Sequence, residues 1–168
     1  MKLNLGCGNK KKPGFIGVDS FDCEAVDVIA ELTTNKLPFE DSSIDEIWMD
    51  NVIEHIQDIP SLMKEIQRIS KNGALVTIFT PHFASADSWR DPTHVHHLSC
   101  FSMNHFEKKG VQHYTGGGFN CLEIKLSFGG VLGNIGRLIF KMSPRKYEST
   151  WCFIFRPGTL KFVMVVDK

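Results

Sequence analysis

The residues best suited to chemistry fall into three groups. The first is Gly6-Cys7-Gly8 together with Asp19. Leu3-Asn4-Leu5 reads as a short strand that empties into the small residues, where a ligand can approach the backbone with no Cβ in the way. Phe15, Ile16 and Val18 read as a second strand ending at Asp19, and a carboxylate placed there can accept both hydroxyls of a ribose. The pair suggests an adenosine-bearing cofactor at the carboxyl ends of parallel strands. The second group is Asp91 and His94 in the segment DPTHVHH. An imidazole titrating near neutrality is a usable general base, and Asp91, three residues away, is positioned to orient it. The competing reading has Asp91 capping the turn at Pro92-Thr93. His94, His96 and His97 also suggest metal ligands, but no acidic partner recurs at a matching spacing, so no metal is expected. The third group, Glu54-His55, reads as packing beneath the cofactor loop and is given no chemical role.

The glycine run narrows the cofactor. A dinucleotide fingerprint needs G-x-G-x-x-G, whereas here Gly8 is followed by Asn9, Lys10 and Lys11. Nine residues, Gly6 to Gly14, separate the strands, too few for a helical crossover. The helix N-terminus that would hold a pyrophosphate is therefore missing, which counts against NAD and FAD. S-adenosylmethionine carries a carboxylate and a sulfonium but no phosphate, and it needs no such helix. Taken alone, the glycine run is equally a tight turn in an ordinary α/β sheet. Lys10-Lys11-Lys12 is expected in solvent.

The elements that must position these groups follow from periodicity. Ala25–Leu32 is a strand candidate with Glu31 near its end, and Ile44–Met49 is another, followed by Asp50 and Asn51. Ile59, Leu62, Met63, Ile66 and Ile69 form one apolar stripe, predicting a helix over Ile59–Lys71. Asp58 caps its start, Pro60 suits its first turn and Asn72-Gly73 its end. Ala74–Thr80 is a continuous apolar strand, as expected where both faces of a parallel sheet are covered. Pro81–Phe101 leaves that strand as an irregular, His-rich loop. Ser102–Lys109 is predicted as a helix ended by Gly110, and Cys121–Ser127 and Leu160–Val166 as late strands. The order describes an α/β, doubly wound, mostly parallel sheet with a shortened first crossover.

Composition bounds the class. A chain of 168 residues suffices for one domain, 1–168, with a real core. Lysine plus arginine and aspartate plus glutamate both count 19, so no global basic field recruits nucleic acid, and none is expected as a partner. Five scattered cysteines without a C-x-x-C pair read as reduced thiols of a cytoplasmic protein. Strand residues begin almost at Met1, leaving no room for a signal peptide, and no apolar run approaches the length of a membrane span.

With these residues in place, the chain resembles the class I S-adenosylmethionine-dependent methyltransferases, of the type 11 domain family. The resemblance rests on LNLGCG at Leu3–Gly8, GVD at Gly17–Asp19, LPFEDSSIDEIWMDNVIEHI at Leu37–Ile56 and RISKNGALVTIFTP at Arg68–Pro81. It implies a Rossmann-like, seven-stranded sheet with one antiparallel strand near the C-terminus. It places Gly6, Cys7 and Gly8 against the methionine portion of the cofactor and Asp19 on the ribose. Glu31 and Leu32 would line the adenine, and Asp50 and Asn51 would lie near the amino-acid moiety. S-adenosylhomocysteine is then the product. Two features depart from the family: the long helix after the glycine loop is absent, and Glu31 stands where Asp is commoner.

The acceptor side reads as a small molecule, glycan or lipid precursor methylated at oxygen. Val131, Leu132, Ile135, Leu138, Ile139 and Met142 form an apolar stripe, with Arg137, Lys141 and Arg145 on another face. Its ordinary reading is a core helix with a solvated face. The other is a basic amphipathic cover for peripheral membrane contact through 131–146. A catalytically inactive module that binds only the cofactor or a partner is the rival to an enzyme.

Overall fold

Two rows of side chains explain the sheet. Leu3, Ile47 and Val76 are aligned across three strands, as are Leu5, Met49 and Ile78, and all six are fully buried. The strands belong to a computed structural model that describes residues 1–33, 36–108 and 117–168. They are β1 (Lys2–Leu5), β2 (Ile16–Asp19), β3 (Val28–Ile29), β4 (Ile44–Asp50), β5 (Ser70–Pro81), β6 (Phe119–Phe128) and β7 (Pro157–Val166). Their order is β3-β2-β1-β4-β5-β7-β6. The pairs from β3 to β5 are parallel, and β7 runs antiparallel to both neighbours. This is the expected Rossmann-like arrangement with one reversed strand. Chain order reverses between β1 and β4, so their carboxyl ends flank the crevice where such sheets bind ligands.

Helix α1 (Ile59–Ile69) buries Ile59, Leu62, Met63, Ile66 and Ile69 in the same core. Asp58 caps it by accepting the Ser61 N–H at 3.0 Å, and Pro60 occupies its first turn. It stops before the expected Asn72-Gly73 because Ser70 is already extended and opens β5. Gly73, with φ of +83°, instead sits in an irregularity where Ile44 pairs with Ser70 but Glu46 with Leu75.

The other sheet face is wetter than the apolar run of β5 predicts. Leu75 is 40% exposed, while Trp48 and Phe79 are half-buried. Trp48 and Phe79 shield each other at 4.7 Å between centroids, and Lys12 Nζ lies 3.3 Å over the Trp48 ring. Ten residues between β1 and β2 leave no chain for a covering helix, and Gly6–Gly14 forms turns only. Of the lysine tract, Lys10 and Lys11 are exposed as expected, Lys11 pairing with Asp27 at 2.5 Å, and Lys12 is half-buried over the aromatic rings.

The predicted strand at Ala25–Leu32 shortens to two residues, and just before them the exposed Asp27 carboxylate accepts the Gly17 N–H at 2.7 Å. Pro81–Phe101 contains one helical turn, α2 (Asp87–Arg90), and Ser102–Phe106 forms a 3-10 helix. Lys109 and Gly110, the expected end of that helix, lie outside the described residues. Helix α3 (Gly130–Met142) exists but faces opposite to the ordinary reading. Gly133 and Gly136 are its buried positions, and a Cβ at Gly136 would meet Phe128 and Phe155 at 2.8 Å. Most of the apolar stripe points outward, with Val131, Leu132, Ile135, Leu138 and Met142 45–84% exposed, while its sixth member, Ile139, packs against the core beside Phe140.

Candidate active site

Two adjoining cavities open at the carboxyl ends of β1, β2 and β4. The first, about 300 Å³, is lined by Gly6, Asp19, Glu31, Leu32, Asn51 and His55, among others. The second, about 400 Å³, is lined by Asn4, Gly6, Cys7, Lys10, Asp50 and Asn51, with Lys11, Lys12 and Trp48. Gly6 and Asn51 belong to both, so the crevice is continuous around the end of β1. Every expected cofactor residue but Gly8 lines it, and Gly8 is bound to the one that closes β2. The Gly8 N–H donates to Asp19 Oδ2 at 2.8 Å, and the Phe21 N–H donates to Oδ1 at 3.2 Å. Each carboxylate oxygen keeps a lone pair for a further donor.

The loop geometry follows from residue type. Gly6 holds φ of +64° and its N–H donates to Val18 O at 2.8 Å, so the chain folds back over β2. Asn51 adopts φ of +53°, which Asn tolerates, and its amide donates to Asp50 Oδ1 at 3.0 Å. Glu31 Oε1 accepts from the Thr33 hydroxyl at 3.0 Å. Cys7 is buried, and burial together with the nearby Asp19 pushes its thiol pKa up, so it serves packing rather than nucleophilic attack.

The His-rich loop resolves into separate contacts. Asp91 Oδ1 accepts the Thr93 N–H at 2.8 Å and the Thr93 hydroxyl at 2.6 Å, which hold its carboxyl below the usual range. His94 Nδ1 instead lies 3.0 Å from the Ser88 carbonyl, which sets its tautomer. His96 reaches the Gln57 carbonyl at 3.2 Å, and His97 contacts the Ser88 hydroxyl at 2.9 Å and stacks on Trp89. The three histidines of the HxHH run therefore diverge.

What gathers around His94 comes from the third group. The Val95 and His96 N–H groups donate to the Glu54 carbonyl at 2.9 and 3.1 Å, docking the loop on the segment after β4. His94 Nε2 then stands 3.9 Å from Glu54 Oε1, and the His55 and His94 rings meet edge-on at 4.7 Å. Burial pushes the Glu54 carboxyl pKa up, against weaker opposing effects of its own amide, the Thr80 hydroxyl and the two imidazoles. His55 is also a wall of the first cavity, so this cluster touches the crevice. The only signal for it in the chain was the position of Glu54-His55 just past a strand mouth. A second cluster, His82, Cys100 and Glu148, is internally satisfied. The Ala84 N–H donates to His82 Nδ1 at 3.1 Å, leaving Nε2–H to donate to Glu148 at 2.9 Å.

A reversed-strand sheet whose β1 ends in a glycine turn and whose β2 ends in a carboxylate defines a nucleoside-cofactor fold. Residues 3–78 match the family model described as a methyltransferase domain. Among proteins with curated descriptions, none matches the sequence significantly. Similar solved structures share the fold. An S-adenosylmethionine-dependent methyltransferase from Archaeoglobus fulgidus is 16% identical with a TM-score of 0.62, over 98% of this chain and 85% of that one. A Haloferax volcanii methyltransferase in complex with the Trm112 activator is 16% identical at 0.62, over 99% and 82%. Haemonchus contortus phosphoethanolamine N-methyltransferase 2, bound to phosphomonomethylethanolamine and S-adenosylhomocysteine, is 15% identical at 0.58, over 99% and 48%. Residues 3–78 thus resemble a methyltransferase domain, and the chain as a whole shares the fold of S-adenosylmethionine-dependent methyltransferases of known structure. The crevice suits S-adenosylmethionine: a carboxylate at β2, bare glycine backbone at β1, and no helix for a pyrophosphate.

Proposed function

We propose that the protein methylates an oxygen of a small-molecule, glycan or lipid-precursor acceptor in the cytoplasm. Asp19 holds the ribose hydroxyls, and Glu31 and Leu32 border the adenine. Gly6, Cys7 and Gly8 offer bare backbone to the methionine portion, with Asp50 and Asn51 beside its amino group. When bound, S-adenosylmethionine supplies a methyl group already activated on a sulfonium. The chain must then position a nucleophile and, for a hydroxyl, remove its proton.

The observation that carries this reading is His55, which belongs both to the cavity wall and to the cluster with Glu54 and His94. That cluster acts on the acceptor hydroxyl, whose proton must leave before its oxygen attacks. Asp91 acts through another residue, fixing Thr93, which in turn meets His55 Nδ1 at 3.0 Å. The outward apolar face of α3 favours the lipid-precursor end of the acceptor range, since it offers a place to meet a membrane surface. Five free cysteines suit a reducing compartment.

The test is transfer of labelled methyl from S-adenosylmethionine to a panel of free sugars, glycolipids and polyprenyl-linked sugars. An O-methyl product is expected. Asp19→Ala should abolish S-adenosylhomocysteine binding, whereas His94→Ala should keep it and lower turnover by about 10²–10⁴. Label recovered only on nitrogen or sulfur would overturn the oxygen assignment.

A further inference from the structure

The cluster of Glu54, His55 and His94 presents three acceptors to one another with no donor among them. Glu54 is 1% exposed, and neither carboxylate oxygen meets a donor in full hydrogen-bond geometry among the described residues; the nearby Thr80 hydroxyl, which favours the charged carboxylate, is likewise buried and unpaired. His94 Nδ1 faces the Ser88 carbonyl, which can only accept, so Nδ1 carries the hydrogen and Nε2 is a bare lone pair. That bare nitrogen is the one 3.9 Å from Glu54 Oε1. The Thr93 hydroxyl gives its hydrogen to Asp91 Oδ1 at 2.6 Å, so toward His55 Nδ1, at 3.0 Å, it accepts. The Thr93 carbonyl, 3.3 Å from the same nitrogen, accepts as well. His55 Nδ1 therefore carries its hydrogen too, and its Nε2 is left for a cation. One ligand atom from each of the three residues lies within 4.8 Å of the others.

A buried carboxylate facing lone pairs is costly unless positive charge sits between them. The His82–Cys100–Glu148 cluster shows the contrast, since each of its donors there meets an acceptor. We infer that Glu54, His55 and His94 form a binding site for one divalent transition-metal ion, of the zinc or cobalt kind. Two imidazoles and a carboxylate suit such ions rather than magnesium or calcium, which prefer all-oxygen shells. Both imidazoles have Nδ1 tied to oxygen acceptors, the outer-shell arrangement that presents Nε2 to a metal. Bonds of about 2.1 Å in a tetrahedron put ligand atoms roughly 3.4 Å apart. The 3.9 Å separation of His94 Nε2 and Glu54 Oε1 is near that spacing, so small side-chain adjustments complete the site.

Three protein ligands leave a tetrahedral position open, and His55 places the site on the cofactor cavity. This catalytic role rests on the proposed oxygen methylation; the binding site itself does not. The acceptor hydroxyl would take the open position and release its proton to solvent water as its pKa falls. The oxygen then bonds to the methyl carbon as the carbon–sulfur bond breaks, its electron pair staying on sulfur.

Tag-free protein, stripped with a chelator, is titrated with Co²⁺ while ligand-field absorption is followed, then competed with Zn²⁺. One ion per chain with the intense bands of a tetrahedral centre is expected. Glu54→Gln and His94→Ala should weaken binding by at least about 100-fold, and Thr93→Val, which removes the nearer of the two acceptors on His55 Nδ1, by about 10-fold. His97→Ala should leave it unchanged, and thermal melts identify any variant that fails to fold. No stoichiometric binding, or binding that survives in folded Glu54→Gln and His94→Ala, overturns the site. Stabilisation that follows pH alone, with no response to metal, also overturns it, since a proton then fills the gap. S-adenosylhomocysteine titrated into the same stripped samples separates the two readings: its failure to bind would remove the cofactor assignment and leave the metal result standing.

Discussion

Gly6 and Gly8 face different constraints although two residues apart. Gly6 combines φ of +64° with a close neighbour, because a Cβ there would stand 2.4 Å from Val52 Cγ2. Gly8 has φ of +49° and open space around it. Gly6→Ala should therefore cost roughly 2–4 kcal/mol, from the left-handed backbone and the overpacking together. Gly8→Ala should cost about 1 kcal/mol, from the backbone alone. Urea unfolding of the two variants checks this, and equal losses would show that crowding against Val52 is not what requires glycine at position 6. Residues of this kind are legible in a chain, since a strand ending in glycines and another ending in aspartate state their own backbone needs. Glu54 was not. Its partner His94 lies across a loop, and the direction of the lone pairs depends on the Ser88 and Thr93 oxygens, which no local pattern encodes. Spacing pairs Asp91 with His94, but the nearer hydroxyl of Thr93 takes the carboxylate.

At the scale of elements, periodicity discloses that a helix has an apolar stripe but not which way the stripe points. In α3 the two glycines bring the backbone onto Phe128 and Phe155, so the closest packing lies on the small-residue side. Most of the stripe is left outside, and Phe153 and Ile154 are likewise 64% exposed. Arg137, Lys141, Arg145 and Lys146 are exposed around it. Exposed cations on an exposed apolar face are complementary to an anionic bilayer, and the proposed lipid-precursor acceptor predicts binding to one. Among the described residues no helix is long and apolar enough to cross a membrane. The expectation is co-sedimentation with vesicles of phosphatidylglycerol and phosphatidylcholine. Leu138→Glu with Met142→Glu should abolish it, and each of Arg137→Glu and Lys141→Glu should weaken it at least fivefold, at about 1 kcal/mol per cation lost. Equal binding to vesicles of phosphatidylcholine alone would sink the charge argument. A concentration-dependent dimer without vesicle binding would assign the face to a second copy.

At the scale of the molecule, side chains tie distant segments to the sheet, and Arg68 is the clearest of them among the described residues. From the last turn of α1 it donates through Nη2 to the Leu37 and Phe39 carbonyls at 3.2 and 3.0 Å, and through Nη1 to Asp41. Its Nε meets Glu65 Oε2 at 2.8 Å, while the Leu37 N–H donates to Glu65 Oε1 at 2.6 Å. The Arg68 carbonyl accepts from Lys168 Nζ at 3.1 Å, bringing in the C-terminus. Burial pushes the Glu65 carboxyl pKa up, but the Arg68 and Leu37 hydrogen bonds outweigh it and hold the group below its ordinary 4.5. A folded-state pKa below the unfolded one means that the carboxylate's stabilisation is fully present above about pH 4.5 and is lost as pH falls through the depressed value. Urea midpoints should accordingly decline on acidification in the wild type. Glu65→Gln should be less stable by about 2–3 kcal/mol at neutral pH, less than for a fully buried pair because Arg68 is partly exposed. Its acid decline should also be shallower, since one of the titrating groups is gone. A variant whose midpoints fall in parallel with the wild type from neutral pH to about pH 3 would show that Glu65 carries none of the pH dependence. The anchoring of the 37–41 turn to α1 would then rest on the Arg68 contacts to the Leu37 and Phe39 carbonyls.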